Sequence, residues 1–213
     1  MQSTLTRPHH NRGFMQYKVM TSWDDGNKYD MKLAEILVRY NIPATFYLPS
    51  ICDLSQQAIK AFSKNFEIGG HTHSHTILRD VSVEIAKVEI MDNKKYLEKI
   101  IGREITSFCY PRGRYNEEVV RLVRECGFKE ARTTLVYNTK LTGSFNVDPT
   151  IHVYPRKEYK GKKWIGQALQ LFDEVMDNGG YFHLWGHSWE VEKLNEWGNL
   201  EKFLAYMSER LKQ

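Results

Sequence analysis

Only three cysteines occur in 213 residues, Cys52, Cys109 and Cys126. They form no CxxC pair and follow no regular spacing. This excludes a disulfide scaffold and reads as a reduced, intracellular chain. No run of about 18 apolar residues exists, so no transmembrane segment is expected. The opening MQSTLTRPHHNRGF lacks the apolar core of a secretory signal. Residues 1–14 read as a flexible N-terminal extension. The expected location is cytoplasmic, with earlier removal of a signal left open. No internal repeat and no low-complexity stretch is found. The net charge of +4 comes without a dense basic block, so nucleic acid is not an expected partner.

What remains is a folded globular composition, 41% hydrophobic and 26% charged. The length favours one domain, residues 15–213, large enough to bury a core without disulfides. Aromatic residues make up 13%, a slight excess that suits stacking on a flat partner such as a sugar ring.

Apolar runs alternate with helical periodicity along the chain. Strands are predicted at Tyr17–Trp23, Ala44–Leu48, Phe66–Ile68, Ile105–Tyr110, Phe128–Thr134, Ile151–Tyr154 and Tyr181–Trp185. Helices are predicted at Tyr29–Tyr40, Ser55–Ser63, Val81–Ile101, Glu117–Cys126, Lys163–Asn178 and Leu200–Leu211. Such alternation calls for parallel strands with helical crossovers, either a doubly wound sheet or a closed barrel. In barrels, active sites form where strands end and loops begin.

Ionisable residues gather at those predicted ends. The first strand runs into Asp24-Asp25-Gly26, the third into Gly69-Gly70-His71-Thr-His73-Ser-His75, and the last into His187-Ser-Trp189-Glu190. His71 and His75, four apart on a turn, can converge on one metal, while His73 between them points away. With Asp25 they make two imidazoles and one carboxylate, which leaves positions open for water and substrate. One divalent ion is expected, most simply zinc, with cobalt, nickel or manganese as alternatives. A metal there lowers the pKa of its bound water and polarises a carbonyl. Asp24 is the candidate base for that water. His187 is the candidate acid that protonates an amide leaving group. His183 reads as structural. Tyr110, Pro111 and Arg112, at the fourth strand end, are candidate substrate contacts, and Tyr110 can lend a backbone amide to an oxyanion site. Trp185 and Trp189 flank His187 as a candidate stacking platform, whereas Trp164 reads as core.

Together these segments resemble a known family. Thr21-Ser22-Trp23-Asp24-Asp25-Gly26 looks like the TFDDG motif of polysaccharide deacetylases, the NodB-homology group of carbohydrate esterase family 4. His71–His75 resembles that family's H-[ST]-x-x-H motif, Pro111-Arg112-Gly113 its R-x-P-x-G motif, and Leu184–His187 its late histidine motif. The resemblance runs from about Lys18 to Trp189 in the family's order. It implies a distorted (β/α) barrel with about seven parallel strands. It also implies metal-dependent hydrolysis of an N- or O-acetyl group, most simply from an N-acetylated carbohydrate. It assigns Asp24 as base, Asp25, His71 and His75 as metal ligands, and His187 as acid. Two departures stand out. Cys109 stands where the family has an Arg that steadies the base, which leaves Arg112 or Arg114 to supply that charge. The family's Asp with a downstream Trp has no clear counterpart, and Glu190 is a better candidate than Asp148 to tune His187. Alternative readings are an allantoinase-like or formamide hydrolase on the same scaffold, acting on another amide, or a non-catalytic carbohydrate-binding relic. The oligomeric state is open.

Overall fold

The computed structural model describes residues 16–141 and 143–212. The expected extension, residues 1–14, lies outside the described residues. Seven parallel strands form one curled sheet: β1 (Tyr17–Asp24), β2 (Ala44–Leu48), β3 (Glu67–Gly70), β4 (Ser107–Cys109), β5 (Glu130–Arg132), β6 (Ile151–His152) and β7 (Gly180–Gly186). Their order is β5-β4-β3-β2-β1-β7-β6, the distorted (β/α) barrel that was expected. β2 is buried at every position, as a parallel strand covered on both faces should be.

The residues just before β6 stitch the sheet's two edges together. Val147 donates to Ala131 O at 2.9 Å and its carbonyl accepts from Thr133 N at 3.0 Å, against β5. A few residues later Thr150 N donates to His183 O and Val153 N to Trp185 O, against β7. One continuous stretch of chain thus bonds to both β5 and β7.

Helices cover the outside: α1 (Asp30–Arg39), α2 (Gln56–Phe62), α3 (Val83–Ile101), α4 (Glu117–Glu125), α5 (Trp164–Asn178), α6 (Ser188–Lys193) and α7 (Trp197–Arg210). Their starts follow local chemistry. Ser55, Ser82 and Asn116 each accept a backbone N–H of the first turn of α2, α3 and α4. Gly102, at φ 77°, ends α3 in the left-handed conformation that glycine adopts without strain. Leu33, Ile36 and Leu37 form the buried stripe of α1. α6 was not expected, and α7 starts three residues earlier than the predicted Leu200. Six residues are too few to show a helical period, so α6 reads as loop in sequence. No helix among the described residues is long and apolar enough to cross a membrane.

Candidate active site

The C-terminal ends of five strands converge. β1 delivers Asp24 and then Asp25, which turns the chain at φ 79°. β3 runs into His71, β4 ends at Cys109, β5 at Arg132, and β7 leads into His187. Because β1 lies between β2 and β7, the aspartate pair stands in the interior of the sheet, away from both edges.

Asp25 Oδ1 lies 3.6 Å from His71 Nε2 and 3.4 Å from His75 Nε2. His71 Nδ1 meets Cys109 O at 2.7 Å, a bond it can only donate, so in the neutral ring the lone pair is on Nε2, the nitrogen that faces Asp25. Trp189 Nε1 donates to the other oxygen, Asp25 Oδ2, at 3.2 Å. Asp25 Oδ1 is buried yet accepts no hydrogen bond among the described residues. Two imidazole nitrogens and a carboxylate oxygen without a donor form a set that fits zinc or a similar divalent cation. Burial raises the Asp25 pKa, but the neighbouring imidazoles of His71, His187 and His75 outweigh it and hold the carboxyl well below its usual range. His75 is pushed down, by burial and by His71. His73 stands outside this three-atom cluster.

Asp24 is almost fully buried. Its Oδ2 accepts from Arg132 Nη2, and Cys109 Sγ lies 3.6 Å away. Its Oδ1 is buried with no hydrogen-bond partner among the described residues. One oxygen is tethered and the other is free. The guanidinium of Arg132 also lies 4.5 Å from the centre of the Trp185 ring and 2.9 Å from Cys109 Sγ.

Across the site His187 Nε2 stands 3.6 Å from Asp25 Oδ2 and 4.0 Å from Asp24 Oδ2. Its Nδ1 is 2.7 Å from Glu190 Oε2, which also meets His152 Nε2 at 2.9 Å. Burial raises the Glu190 pKa, but hydrogen bonds from His152 and His187 bring it down to about 2. Burial alone would neutralise His187, yet its bond to Glu190 and the charges of Asp24, Glu190 and Asp25 raise its pKa. Burial holds His152 down to about 4, so it stays neutral.

Several sequence expectations need correction. The charge beside Asp24 comes from Arg132, not from Arg112, which is exposed, or Arg114, which faces Asp80. Tyr110 N already donates to Arg132 O at 3.2 Å and its ring stacks on Tyr115, so its amide serves the sheet and not an oxyanion. Pro111 is buried in a short 3-10 turn beside Arg112. Trp185 is 3% exposed, with His152 stacked on it at 3.8 Å and Arg132 against it as well, so neither ring face is open to a sugar. Trp189 is half-buried at the rim beside His187. His183 is bound by Ser22 and Tyr181, and Trp164 is buried, both structural. Asp148 is taken by Thr133, while Glu190 is the carboxylate that meets His187. Arg132 and His152 were missed. The available signal was a charged or ionisable residue within a short strand otherwise bound for the core, since a buried charge needs a partner.

Comparison with known proteins converges on the same motifs. The pattern of the polysaccharide deacetylase family matches residues 13–131. The chain is 29% identical over 115 residues to the peptidoglycan-N-acetylglucosamine deacetylase of Bacillus cereus, covering 52% of this chain and 54% of that protein. It thus spans about half the length of that relative. It is 27% identical over 177 residues to the chitooligosaccharide deacetylase of Azorhizobium caulinodans, covering 76% of this chain and 69% of that one. A crystal structure from Mycobacterium smegmatis shares the fold, with a TM-score of 0.72 at 16% identity over 97% of this chain and 89% of that chain. With the aspartate pair, His71 and His75 inside a family match that spans more than half its length, the chain belongs to the polysaccharide deacetylase family.

Proposed function

We propose that the chain removes an acetyl group from an N-acetylated carbohydrate, with a divalent cation held by Asp25, His71 and His75. The observation that carries this reading is the opposition of Asp24 and His187 across Asp25, each held by its own ionic partner, Arg132 or Glu190. Asp24, tethered through Oδ2, keeps Oδ1 free to accept a proton from water. His187, with Nδ1 on Glu190, turns Nε2–H toward the reacting space. The raised pKa of His187 keeps that proton in place until a leaving nitrogen needs it. An amine anion leaves poorly, so amide cleavage depends on this donor, and such proton transfers contribute roughly 10²–10⁴ in rate. When bound, the cation polarises the acyl oxygen and acidifies water. A carbohydrate substrate is supported by the peptidoglycan and chitooligosaccharide relatives. Half-exposed Trp189 offers an aromatic edge at the rim.

The test is acetate release from chitooligosaccharides and peptidoglycan fragments by zinc-loaded protein, with Asp24→Asn as control. Release by the parent and none by a variant that still binds zinc is the expected result. Zinc-loaded protein that leaves every acetyl amide intact but opens ring amides or formamides would replace this reading with the allantoinase-like one.

A further inference from the structure

The loop that carries His71 and His75 is gripped from behind by one helix. Asn93 and Glu89 lie one turn apart on the same face of α3. Asn93 is fully buried in mid-helix, where its type is disfavoured unless its side chain has fixed partners. It has three. Its Oδ1 accepts His71 N at 2.8 Å, and its Nδ2 donates to Leu48 O at 3.0 Å and Ser50 Oγ at 3.2 Å. Gly70 makes room for this contact, because a Cβ there would sit 3.0 Å from Asn93 Oδ1. Glu89 grips the far side of the loop, accepting Ser74 N at 2.9 Å and Ser74 Oγ at 2.7 Å. The backbone is left-handed at Thr72, between these anchors, and at His75, directly after the second, at φ 66° and 60°. Residues with a Cβ stay in that region only when their surroundings hold them there.

We propose that Glu89 and Asn93 are positioning residues that hold the His71–His75 loop in its ligating shape before any metal arrives, and so set the affinity for the metal. This rests on the reading of Asp25, His71 and His75 as the metal centre. Neither residue bonds to the side-chain atoms of the cluster. They act through the backbone of His71 and through Ser74, the residue before His75. Partners of this kind, one layer behind the ligands, typically govern metal affinity by 10- to 100-fold.

The experiment titrates zinc alone into metal-free protein against a chromophoric chelator, with amide hydrogen exchange at His71 and Ser74 as a second readout. Glu89→Ala is the main variant, because half-exposed Glu89 can be truncated without opening the core. We expect zinc affinity to fall about 10-fold or more, with faster exchange at Ser74 in the metal-free protein. Glu89→Gln should recover most of both, since its amide can accept from Ser74 N and donate to Ser74 Oγ. Ile90→Val, a stability loss on the same helix, should leave affinity unchanged. Parent-like zinc affinity and exchange in Glu89→Ala would overturn the proposal while leaving the metal centre standing. A parent protein that takes up no zinc would overturn the metal centre, and the proposal with it.

Discussion

Removing Arg132 should cost the fold as much as it costs the chemistry. Its guanidinium is paired with Asp24, and the two side chains are 1% and 3% exposed. Replacing Arg132 with Met keeps most of the side-chain volume but leaves the Asp24 carboxylate buried beside a thiol, with only His187, 4.0 Å from Oδ2, to offset its charge. Breaking a buried pair from one side costs about 3–5 kcal/mol, because the remaining charge is uncompensated. In a domain of this size that corresponds to a fall in Tm of roughly 6–20 °C. Asp24→Asn/Arg132→Met should be less damaging than the two single changes added together, since neither buried charge remains. Urea unfolding of the parent, both single variants and the double variant closes the cycle. A coupling near 2 kcal/mol or more is expected for such a contact. Coupling within about 0.5 kcal/mol of zero, the scatter of independent sites, would refute the claim that Arg132 acts on Asp24 through charge.

Two further outcomes follow from neighbouring residues. Asp30 is fully buried at the start of α1, and both its oxygens lack a well-formed hydrogen bond among the described residues. Burial raises its pKa from 3.8 to about 7, with the charges of Asp25 and Asp24 adding to it, while Ser188 and His187 pull the other way. The unfolded chain therefore loses this proton before the folded one does, and stability falls as pH rises from about 4 to about 7. The total is roughly 4 kcal/mol at 1.36 kcal/mol per unit. Asp30→Asn should match the parent near pH 4 and exceed it at pH 8, and parallel stability curves would contradict the assignment. His187→Ala should slow hydrolysis of an acetamide far more than that of an acetate ester, because an alkoxide leaves without help far better than an amine anion. Equal losses on the two substrates would remove His187 as the acid.

What could be read from the chain alone depended on how far apart the partners lie. Asp24, Asp25, His71 and His75 sit in short motifs whose spacing already implies convergence, and the strand pattern predicts where those motifs emerge. The pairing of Arg132 with Asp24 was hidden because the two are 108 residues apart and meet only through the order of strands in the sheet. Trp185 was misjudged for a related reason. On a parallel strand buried on both sides, sequence does not tell which side chains face the site and which the core. Tyr110 was misread because its amide belongs to the β-ladder, a fact of register and not of composition. α6 was lost to its brevity, although it is the turn that brings Glu190 back beside His187.

The pairing of β1 with β7 has a consequence for how the protein is made. These two strands exchange seven registered partners, from Tyr17 opposite Gly180 to Trp23 opposite Gly186. During synthesis one edge of β1 waits for a partner that is the last of the seven strands to be translated. At roughly 5–20 residues per second, the delay between Asp24 and Gly186 is on the order of 10–30 s. Throughout that time Asp24 has emerged without His187, and an eight-residue strand presents an open ladder to any other nascent chain. Tyr17, exposed at the start of β1 beside the already charged Lys18, is therefore where a charged substitution should protect yield without touching the finished site.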